Sequence, residues 1–207
     1  MNRNNETLST EERILKSAKK IFIANGFDGT RTQDIALDAG VNKALLHYYY
    51  KNKETLFEAV FDYVSRDFVP KMLEIAYSEQ PFKEKIEAII DNYIRFYSQN
   101  TPELLFIINE MNKNPARFTS LFMQTNNFSK LAEFAAYLQK EMLIGNIKMM
   151  HPVHFFVNIV SLCAFPSLSA PMIKMIGQIN DEQFAQFIEQ RRQIVKQLIF
   201  DSILIGT

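Results

Sequence analysis

Apolar residues recur at three- and four-residue spacing through most of the chain, and this period predicts amphipathic α-helices. Ser9 and Glu12 have the spacing of a capping box, so we expect the first long helix to begin there and to end at Gly26. Residues 30–53 predict two short helices joined by a tight turn. No stretch alternates apolar and polar residues as a half-buried strand does, so the predicted fold class is all-α.

The short helix pair is expected to begin at Thr30, which with Gln33 three residues later has the pattern of a second capping box. Gly40 is expected to end the first helix in a left-handed conformation, and Asn42 to cap the second. In the second helix, Leu46 falls on the inward side. This is the arrangement of a helix-turn-helix, whose second helix can enter the major groove of DNA. The alternative is an ordinary helix pair inside an all-α protein.

The side chains after the turn favour DNA binding over an ordinary helix pair. The second helix is too short to need all of its polar and aromatic residues for packing. Lysine ammonium groups and tyrosine hydroxyls are groups that reach phosphate oxygens. The residues concerned are Lys43, His47, Tyr48, Tyr49, Lys51 and Lys53.

The rest of the chain is also expected to be helical. Asn52 should cap a long connecting helix, with Pro70 within or near its end. Beyond Pro81, further prolines divide the chain into separate predicted helices. These cover about residues 82–99, 103–112, 116–124, 128–144, 153–165, 170–176 and 181–204.

The last predicted helix carries an apolar stripe as wide as a core-facing one, interrupted by Arg191. With residues 153–165 it could form a four-helix bundle across a two-fold axis, which would make the protein a homodimer. Alternatively, both helices pack within one chain. The predicted interface residues are Phe184, Phe187, Ile188, Arg191, Ile194, Val195 and Leu198.

The net charge gives no strong signal for a polyanionic partner, because 23 basic residues balance 23 acidic ones. The distribution is less even. Up to Lys53 there are nine basic and six acidic residues, which is the sign that a DNA-binding region requires.

Catalysis, cofactors and metals have no support in the sequence, and we expect no enzyme activity, cofactor or metal site. A Gly-x-Ser-x-Gly nucleophile motif and a glycine-rich phosphate loop are both missing. His151 and His154 lack a third ligand, and a histidine at a helix start beside Pro152 is the expected interpretation. The single cysteine, Cys163, excludes an intramolecular disulfide and is expected in the core.

The chain is expected to be soluble and cytoplasmic, with no membrane partner. Its first residues are polar and do not resemble a signal peptide. The most apolar run, residues 153–165, contains His154 and Asn158 and is too short to span a bilayer.

Phenylalanine and methionine concentrate in the second half, where 13 of the 18 Phe lie at or beyond Phe82 and seven of the nine Met lie beyond Asn100. One interpretation is a large apolar core. The other is an apolar pocket lined by aromatic and adaptable methionine side chains.

The helix-turn-helix region also carries a family pattern. It reads Ile35-Ala36-x-x-Ala39-Gly40-Val41, then Leu46-x-x-Tyr49-Tyr50-Lys51-Asn52-Lys53-Glu54-x-Leu56. This resembles the N-terminal domain of the tetracycline-repressor (TetR) family over about residues 12–64. The sequence departs from that pattern at Asn42, where Ser is usual, at Leu45, where a small or hydroxylated residue is common, and at His47, where Tyr is usual.

The resemblance implies a DNA-binding domain at residues 9–69, with the helix-turn-helix at about 32–51, and an effector-binding and dimerisation domain at 70–207. It implies a ligand-responsive repressor, with two recognition helices about 34–36 Å apart on a pseudo-palindromic, double-stranded operator. Base-facing residues would be Lys43, Ala44, Leu45 and Tyr48. Thr32 and Gln33 would reach the DNA backbone or a flanking base, and His47, Tyr49, Lys51 and Lys53 would contact phosphates.

The resemblance further implies an effector pocket between the connecting helix and the helices packed on it. A small apolar or amphipathic effector is expected, because a highly charged one would need several converging Arg and Lys side chains. The candidate contacts are Phe106, Asn109, Glu110, Met111, Phe122, Phe155 and Asn158. The rival function is a helical protein–protein adaptor that keeps the three-helix head without specific DNA binding.

Overall fold

The computed structural model describes the backbone of residues 8–65, 68–124 and 127–203. Side chains are described for these residues except Ser65, Phe68, Val69, Pro70, Met72, Phe122, Gln124, Asn127 and Phe128. The predicted effector contact by the Phe122 side chain therefore lies outside the described part of the structure. The backbone at Pro70 is helical, within Phe68–Ala76, and the kink or stop predicted near it is not tested, because residues 66 and 67 lie outside the described ranges.

Every regular element in the described ranges is an α-helix, which confirms the predicted all-α class. The helices are α1 (Thr10–Gly29), α2 (Thr32–Asp38), α3 (Lys43–Tyr49), α4 (Lys53–Ser65), α5 (Phe68–Ala76), α6 (Phe82–Gln99), α7 (Thr101–Lys113), α8 (Pro115–Gln124), α9 (Asn127–Leu143), α10 (Pro152–Leu168), α11 (Ala170–Gly177) and α12 (Asp181–Ile203). They pack as two compact units. The first comprises the described residues of Met1–Arg66 and Leu105–Thr125, and the second those of Asp67–Leu104 and Asn126–Thr207.

Helix α1 begins as the sequence predicts. Glu12 N–H donates to Ser9 Oγ at 3.2 Å, and Ser9 N–H donates to the Glu12 carboxylate at 2.8 Å, so the capping box is confirmed. The hydrogen bond from the Ser9 backbone holds the pKa of the Glu12 carboxyl below its ordinary value. Helix α1 breaks at Gly26, where φ is +68° and ψ is 179°, and a short helical stretch continues to Gly29. The predicted end is therefore a break, at a backbone conformation that favours glycine.

Thr30 does not cap α2, so that prediction is wrong. Its side chain is buried, and its hydroxyl donates instead to the Gly26 carbonyl at 2.7 Å. Arg31 occupies the cap position of α2 and makes no side-chain cap hydrogen bond. Burial against the end of α1 determines the role of Thr30, and local sequence spacing does not reveal that burial.

The turn between α2 and α3 is built as predicted. Gly40 has φ +65°, and Val41 N–H donates back to the Ala36 carbonyl at 3.0 Å. The Asn42 side chain accepts from Leu45 N–H at 2.8 Å and so caps α3. The two short helices therefore have the geometry of a helix-turn-helix, with Leu46 fully buried beneath α3.

The first unit has an aromatic core to which α7 and α8 contribute. The Phe57 ring meets those of Phe22, Phe27 and Phe106 edge-on, at centroid distances of 5.3, 5.0 and 5.7 Å. Phe118 of α8 adds a further edge-on contact, 5.5 Å from Phe61. Residues 105–124 thus pack with the N-terminal helices, whereas the functional division at residues 69/70 stays a prediction.

The second unit has a separate core, formed largely by α6, α10 and α12. Phe155, Ile159 and Val195 are essentially inaccessible to solvent, and Tyr93 stacks on Tyr97 with ring centroids 5.7 Å apart. Helix α6 has the bounds that the sequence predicts, and the later helices differ from prediction by up to about three residues. Helix α10 is the clearest difference, because it continues through Pro166 to Leu168.

In the described ranges, no single helix is both long enough and apolar enough to cross a bilayer. Helices α10 and α11 taken together are long and apolar enough by length and composition alone, but they are bent by 69° at their junction.

Candidate nucleic-acid interface

Helix α3 has one buried and one exposed face. Leu46 anchors it to the core, while Lys43, Ala44 and Leu45 are exposed, Leu45 at 37%. Tyr48 is 81% exposed, which is unusual for a large aromatic side chain. All four residues predicted to face bases therefore lie on the exposed side of the helix.

The residues predicted to contact phosphates cluster at the end of α3. Tyr49 is 38% exposed, and its ring lies 5.5 Å from that of Tyr48, edge to face. Lys51 is exposed, and its carbonyl oxygen is 3.2 Å from His47 Nδ1. His47 is thus oriented by the backbone after α3, with its ring exposed.

Lys53 differs from the other lysines. Its Nζ donates to the Thr30 carbonyl at 3.0 Å and lies 4.3 Å from the centroid of the Phe27 ring. The side chain is half-buried, and the ammonium group is engaged within the first unit. The sequence placed Lys53 beside the recognition helix but contained no signal for these internal partners.

Helix α2 presents Thr32 and Gln33 in its first turn, Thr32 half-buried and Gln33 exposed. Arg31, immediately before them, is exposed and was not among the predicted DNA contacts. The sequence was sufficient to identify Arg31 as a candidate, because a basic residue at a helix start next to two predicted contacts is suited to bind phosphate.

A basic cleft of about 400 Å³ lies between α1 and α2, lined in part by Arg13, Lys16 and Lys20. Lys20 forms an ion pair with Asp38, and this hydrogen bond holds the pKa of the Asp38 carboxyl below its ordinary value. The pair is largely exposed and contributes little to stability. Its effect is to neutralise one of the cations in the cleft.

The predicted effector contacts do not form one lining. Phe106 and Glu110 are buried in the first unit and line the same cavity, which offers only about 10 Å³, close to the space for one water molecule. Asn109 is exposed and Met111 half-buried. Phe155 is fully buried in the core of the second unit.

The second unit contains a larger apolar groove of about 120 Å³ between α9 and α10. We call it the α9–α10 groove. Asn158, the remaining predicted effector contact, is exposed on α10 and does not line it. The lining residues are Leu131, Phe134, Ala135, Leu138, Pro152, Val153 and Phe156. None of them was predicted from the sequence to contact an effector.

The predicted dimer-interface residues divide between two faces of α12. Ile188 and Val195 pack in the core of their own chain, so they are not available to a partner in this structure. Ile194 and Leu198 are 47% and 45% exposed. Phe184 and Phe187 are half-buried, with rings 5.9 Å apart.

Arg191 lies beside this exposed face, and its Nε is buried without a hydrogen-bond partner among the described residues. On α10, Val153, Val157 and Phe165 are each at least half exposed. Two adjacent helices therefore present apolar side chains to solvent.

The histidine and cysteine that the sequence singled out occupy a helix cap and a core position. His151 is the cap residue of α10, where its Nδ1 accepts from Val153 N–H at 3.3 Å, as the helix-start interpretation predicts. Cys163 is buried in the second core, and burial raises the pKa of its thiol to about 12. No group of three His, Cys, Asp or Glu side chains that could hold a metal ion occurs within residues 8–65, 68–124 and 127–203.

Residues 14–60 match the family model for bacterial regulatory proteins of the tetR family. The HTH-type transcriptional repressor NicS of Pseudomonas putida is 28% identical over 166 residues, which span 75% of this chain and 74% of NicS. The negative transcriptional regulator IcaR of the Staphylococcus aureus biofilm operon icaADBC is 33% identical over 103 residues. That match spans 45% of this chain and 55% of IcaR.

Among solved structures, a TetR transcriptional regulator from Chloroflexus aurantiacus superimposes with a TM-score of 0.69 at 18% identity, covering 95% of this chain and 97% of that one. At this identity the likeness concerns the fold. The fold is therefore shared along nearly the whole chain, whereas the matched family segment covers α1 to α4.

Proposed function

We propose that this chain, a member of the TetR family, is a homodimeric transcriptional repressor that binds a pseudo-palindromic operator and is released by a small apolar or amphipathic effector. The observation that carries the proposal is the exposed face of α3. Lys43, Ala44, Leu45 and Tyr48 point away from a core that Leu46 anchors, at the position where a helix-turn-helix meets base edges.

Side-chain chemistry separates the proposed base contacts from the proposed phosphate contacts. Lys43 can donate to guanine acceptors, and the Ala44 methyl and Leu45 can contact a thymine methyl. Arg31, His47, Tyr49 and Lys51 are suited to phosphate oxygens, which fix register without reading sequence.

Homodimerisation is part of the proposal because one recognition helix reads only half a site. Two copies must hold their α3 helices about 34–36 Å apart to reach successive major grooves. The exposed apolar residues of α10 and α12 support a four-helix interface between copies. Arg191 supports it as well, because its buried Nε could find an acceptor across the two-fold axis.

The α9–α10 groove is the cavity that best supports an apolar effector. An engineered cavity of about 150 Å³ binds benzene, so a groove of this size accommodates one ring or a short alkyl chain. We infer that a larger effector would require the groove to open, since ligand pockets are generally about 300 Å³ or more. Binding would then stabilise a conformer with a spacing that does not fit the operator.

A protein–protein adaptor is the second candidate. The zero net charge and the apolar Leu45 on the exposed face of α3 favour it. Heparin chromatography at low salt separates the two functions. The repressor is retained and elutes as salt rises, whereas the adaptor passes through.

The decisive experiment is selection of bound sequences from random double-stranded DNA with the purified full chain. The repressor enriches a two-fold symmetric sequence whose half-site centres are about one helical turn apart. Recovery of sequences without a shared motif would contradict specific operator binding.

A further inference from the structure

Residues 26–31 run from the break in α1 to the start of α2, and we call them the connector. A carboxylate from a distant part of the chain binds this connector. Glu110 on α7 is 8% exposed, and its Oε1 accepts a hydrogen bond from the Phe27 N–H at 3.0 Å. The two residues are 83 positions apart. The Gly26 break interrupts the helix at this point, and Glu110 supplies the acceptor for the amide that follows the break.

The approach of α7 to the connector is close. A Cβ placed on Gly26 would lie 3.0 Å from Glu110 Oε1 and 3.3 Å from Lys113 Nζ. Glycine is required there both by its φ of +68° and by this contact. Lys113 Nζ is 3.9 Å from the same Glu110 oxygen, so a cation lies beside the buried carboxylate.

The Phe27 side chain also has partners from other parts of the first unit. The guanidinium carbon of Arg117, on α8, lies 3.7 Å from the ring centroid, and Lys53 Nζ lies 4.3 Å from it. The rings of Phe22 and Phe57 pack around it. Helices α7 and α8 therefore fix both the amide and the ring of one connector residue.

We propose that Glu110 is a positioning residue for DNA recognition, because its carboxylate fixes the connector and so sets the orientation of α2 and α3 relative to α1. The connector leads directly into α2, which presents Thr32 and Gln33. The bonds from Thr30 and Lys53 hold the connector from within the family-matched segment, 14–60. Glu110 holds it from outside that segment. The inference rests on the proposed function for its DNA readout.

Two conservative substitutions separate the acceptor from the charge. Glu110→Gln keeps an oxygen at the Oε1 position and removes the charge. Glu110→Asp keeps the charge and withdraws the carboxylate by one methylene, out of reach of the Phe27 amide. We expect the Gln variant to bind the selected operator within about twofold of the parent chain, and the Asp variant to bind about tenfold more weakly.

Two further readouts distinguish positioning from other roles. The slope of log K against log salt should stay unchanged in both variants, because Glu110 contacts no phosphate. Amide hydrogen exchange at Phe27 should accelerate at least tenfold in Glu110→Asp and stay slow in Glu110→Gln. Glu133→Asp, which shortens an exposed carboxylate on α9, is the matched control and should change none of these quantities.

Several results would overturn the proposal. Parent-like operator binding by Glu110→Asp would do so. Weaker binding by Glu110→Gln than by Glu110→Asp would also do so, because only the Gln variant loses the charge and the effect would then belong to charge rather than to the acceptor. Unchanged hydrogen exchange of the Phe27 amide in Glu110→Asp would show that Glu110 does not fix the connector. If the parent chain selects no DNA sequence, the proposed repressor function fails. The exchange measurement still decides in that case whether Glu110 holds the connector.

Discussion

Lys53 and Lys51 stand two residues apart, yet their surroundings give them different roles. The Lys53 ammonium group bonds to Thr30 and lies over the Phe27 ring, so a phosphate contact would have to compete with these partners. Lys51 is exposed, and its backbone helps to orient His47. At the scale of single residues, Lys51 is therefore the better candidate for a phosphate contact.

Replacing each lysine by alanine tests this difference. We expect Lys51→Ala to weaken binding to all DNA alike and to lower the salt slope by about one unit, as loss of one phosphate contact does. Lys53→Ala should lower the melting temperature instead, because a hydrogen bond and a cation–π contact are lost. Thermal unfolding and DNA titrations at several salt concentrations measure both effects. A full one-unit loss of slope in Lys53→Ala with unchanged melting would restore the phosphate assignment.

Tyr48→Ala should act on specificity. Its side chain is 81% exposed on the face of α3 that we expect to meet bases. If it contacts a base edge or a thymine methyl, discrimination at one operator position should fall by about 1–3 kcal/mol. Competition between the selected operator and single-base variants measures this. Equal losses on operator and random DNA would place Tyr48 among the backbone contacts.

Local sequence predicts a residue's role well when its partner is also local. Asn42 and Ser9 were correctly assigned as caps because each bonds three residues away. Thr30 was assigned incorrectly because its hydroxyl bonds backwards, to the Gly26 carbonyl at the break in α1, and the local spacing equally allows a cap of α2. Glu110 was assigned incompletely because its partner, the Phe27 amide, lies 83 positions away. The carboxylate of Glu110 was expected to meet an effector, and in the folded chain one of its oxygens already binds the Phe27 amide.

At the scale of elements, proline spacing and apolar period gave the helices with small errors. Pro81 precedes α6 and Pro152 begins α10, as expected at helix starts. Pro166 lies inside α10, a case that local rules do not foresee because proline normally ends a helix. The packing of α7 and α8 with the N-terminal helices was also beyond sequence reasoning, since apolar period identifies a buried face but not its partner.

The proposed homodimer depends on the exposed apolar face of α12. Ile194→Glu places a charge on that face, at a residue 47% exposed in one chain. If the face is the dimer interface, the variant should be monomeric and should lose operator binding, because a single half-site is weakly held. Light scattering and DNA titration measure the two effects.

Gln193→Glu is the matched control for this substitution. It adds the same charge at the neighbouring, exposed position on α12 and should leave the dimer intact. A dimeric Ile194→Glu chain would place the interface elsewhere.

At the scale of the whole molecule, the excess of basic residues and the excess of Phe and Met lie in different parts of the chain. The basic excess lies in the N-terminal region, and the Phe and Met excess lies in the second half. The family fold was predictable from the short motif at 35–56, because its residues are fixed by turn geometry and a small core. The effector site was not, because pocket residues obey no spacing rule and share their composition with ordinary cores.

The effector prediction concerns the α9–α10 groove. Small apolar compounds, such as single-ring aromatics and medium-chain alcohols, should raise the melting temperature. A ligand present at 100 times its dissociation constant stabilises a folded protein by about 2.7 kcal/mol, which corresponds to roughly 5–10 °C in a chain of this size. Ala135→Phe fills the groove and should abolish the shift. Ala132→Phe, at an exposed position of α9 that does not line the groove, is the control and should preserve it. A shift that survives Ala135→Phe but is lost in Phe106→Ala would move the effector to the first unit. Stabilisation only by phosphorylated metabolites would overturn the apolar effector, and no shift across a broad library would favour an apolar core without a ligand.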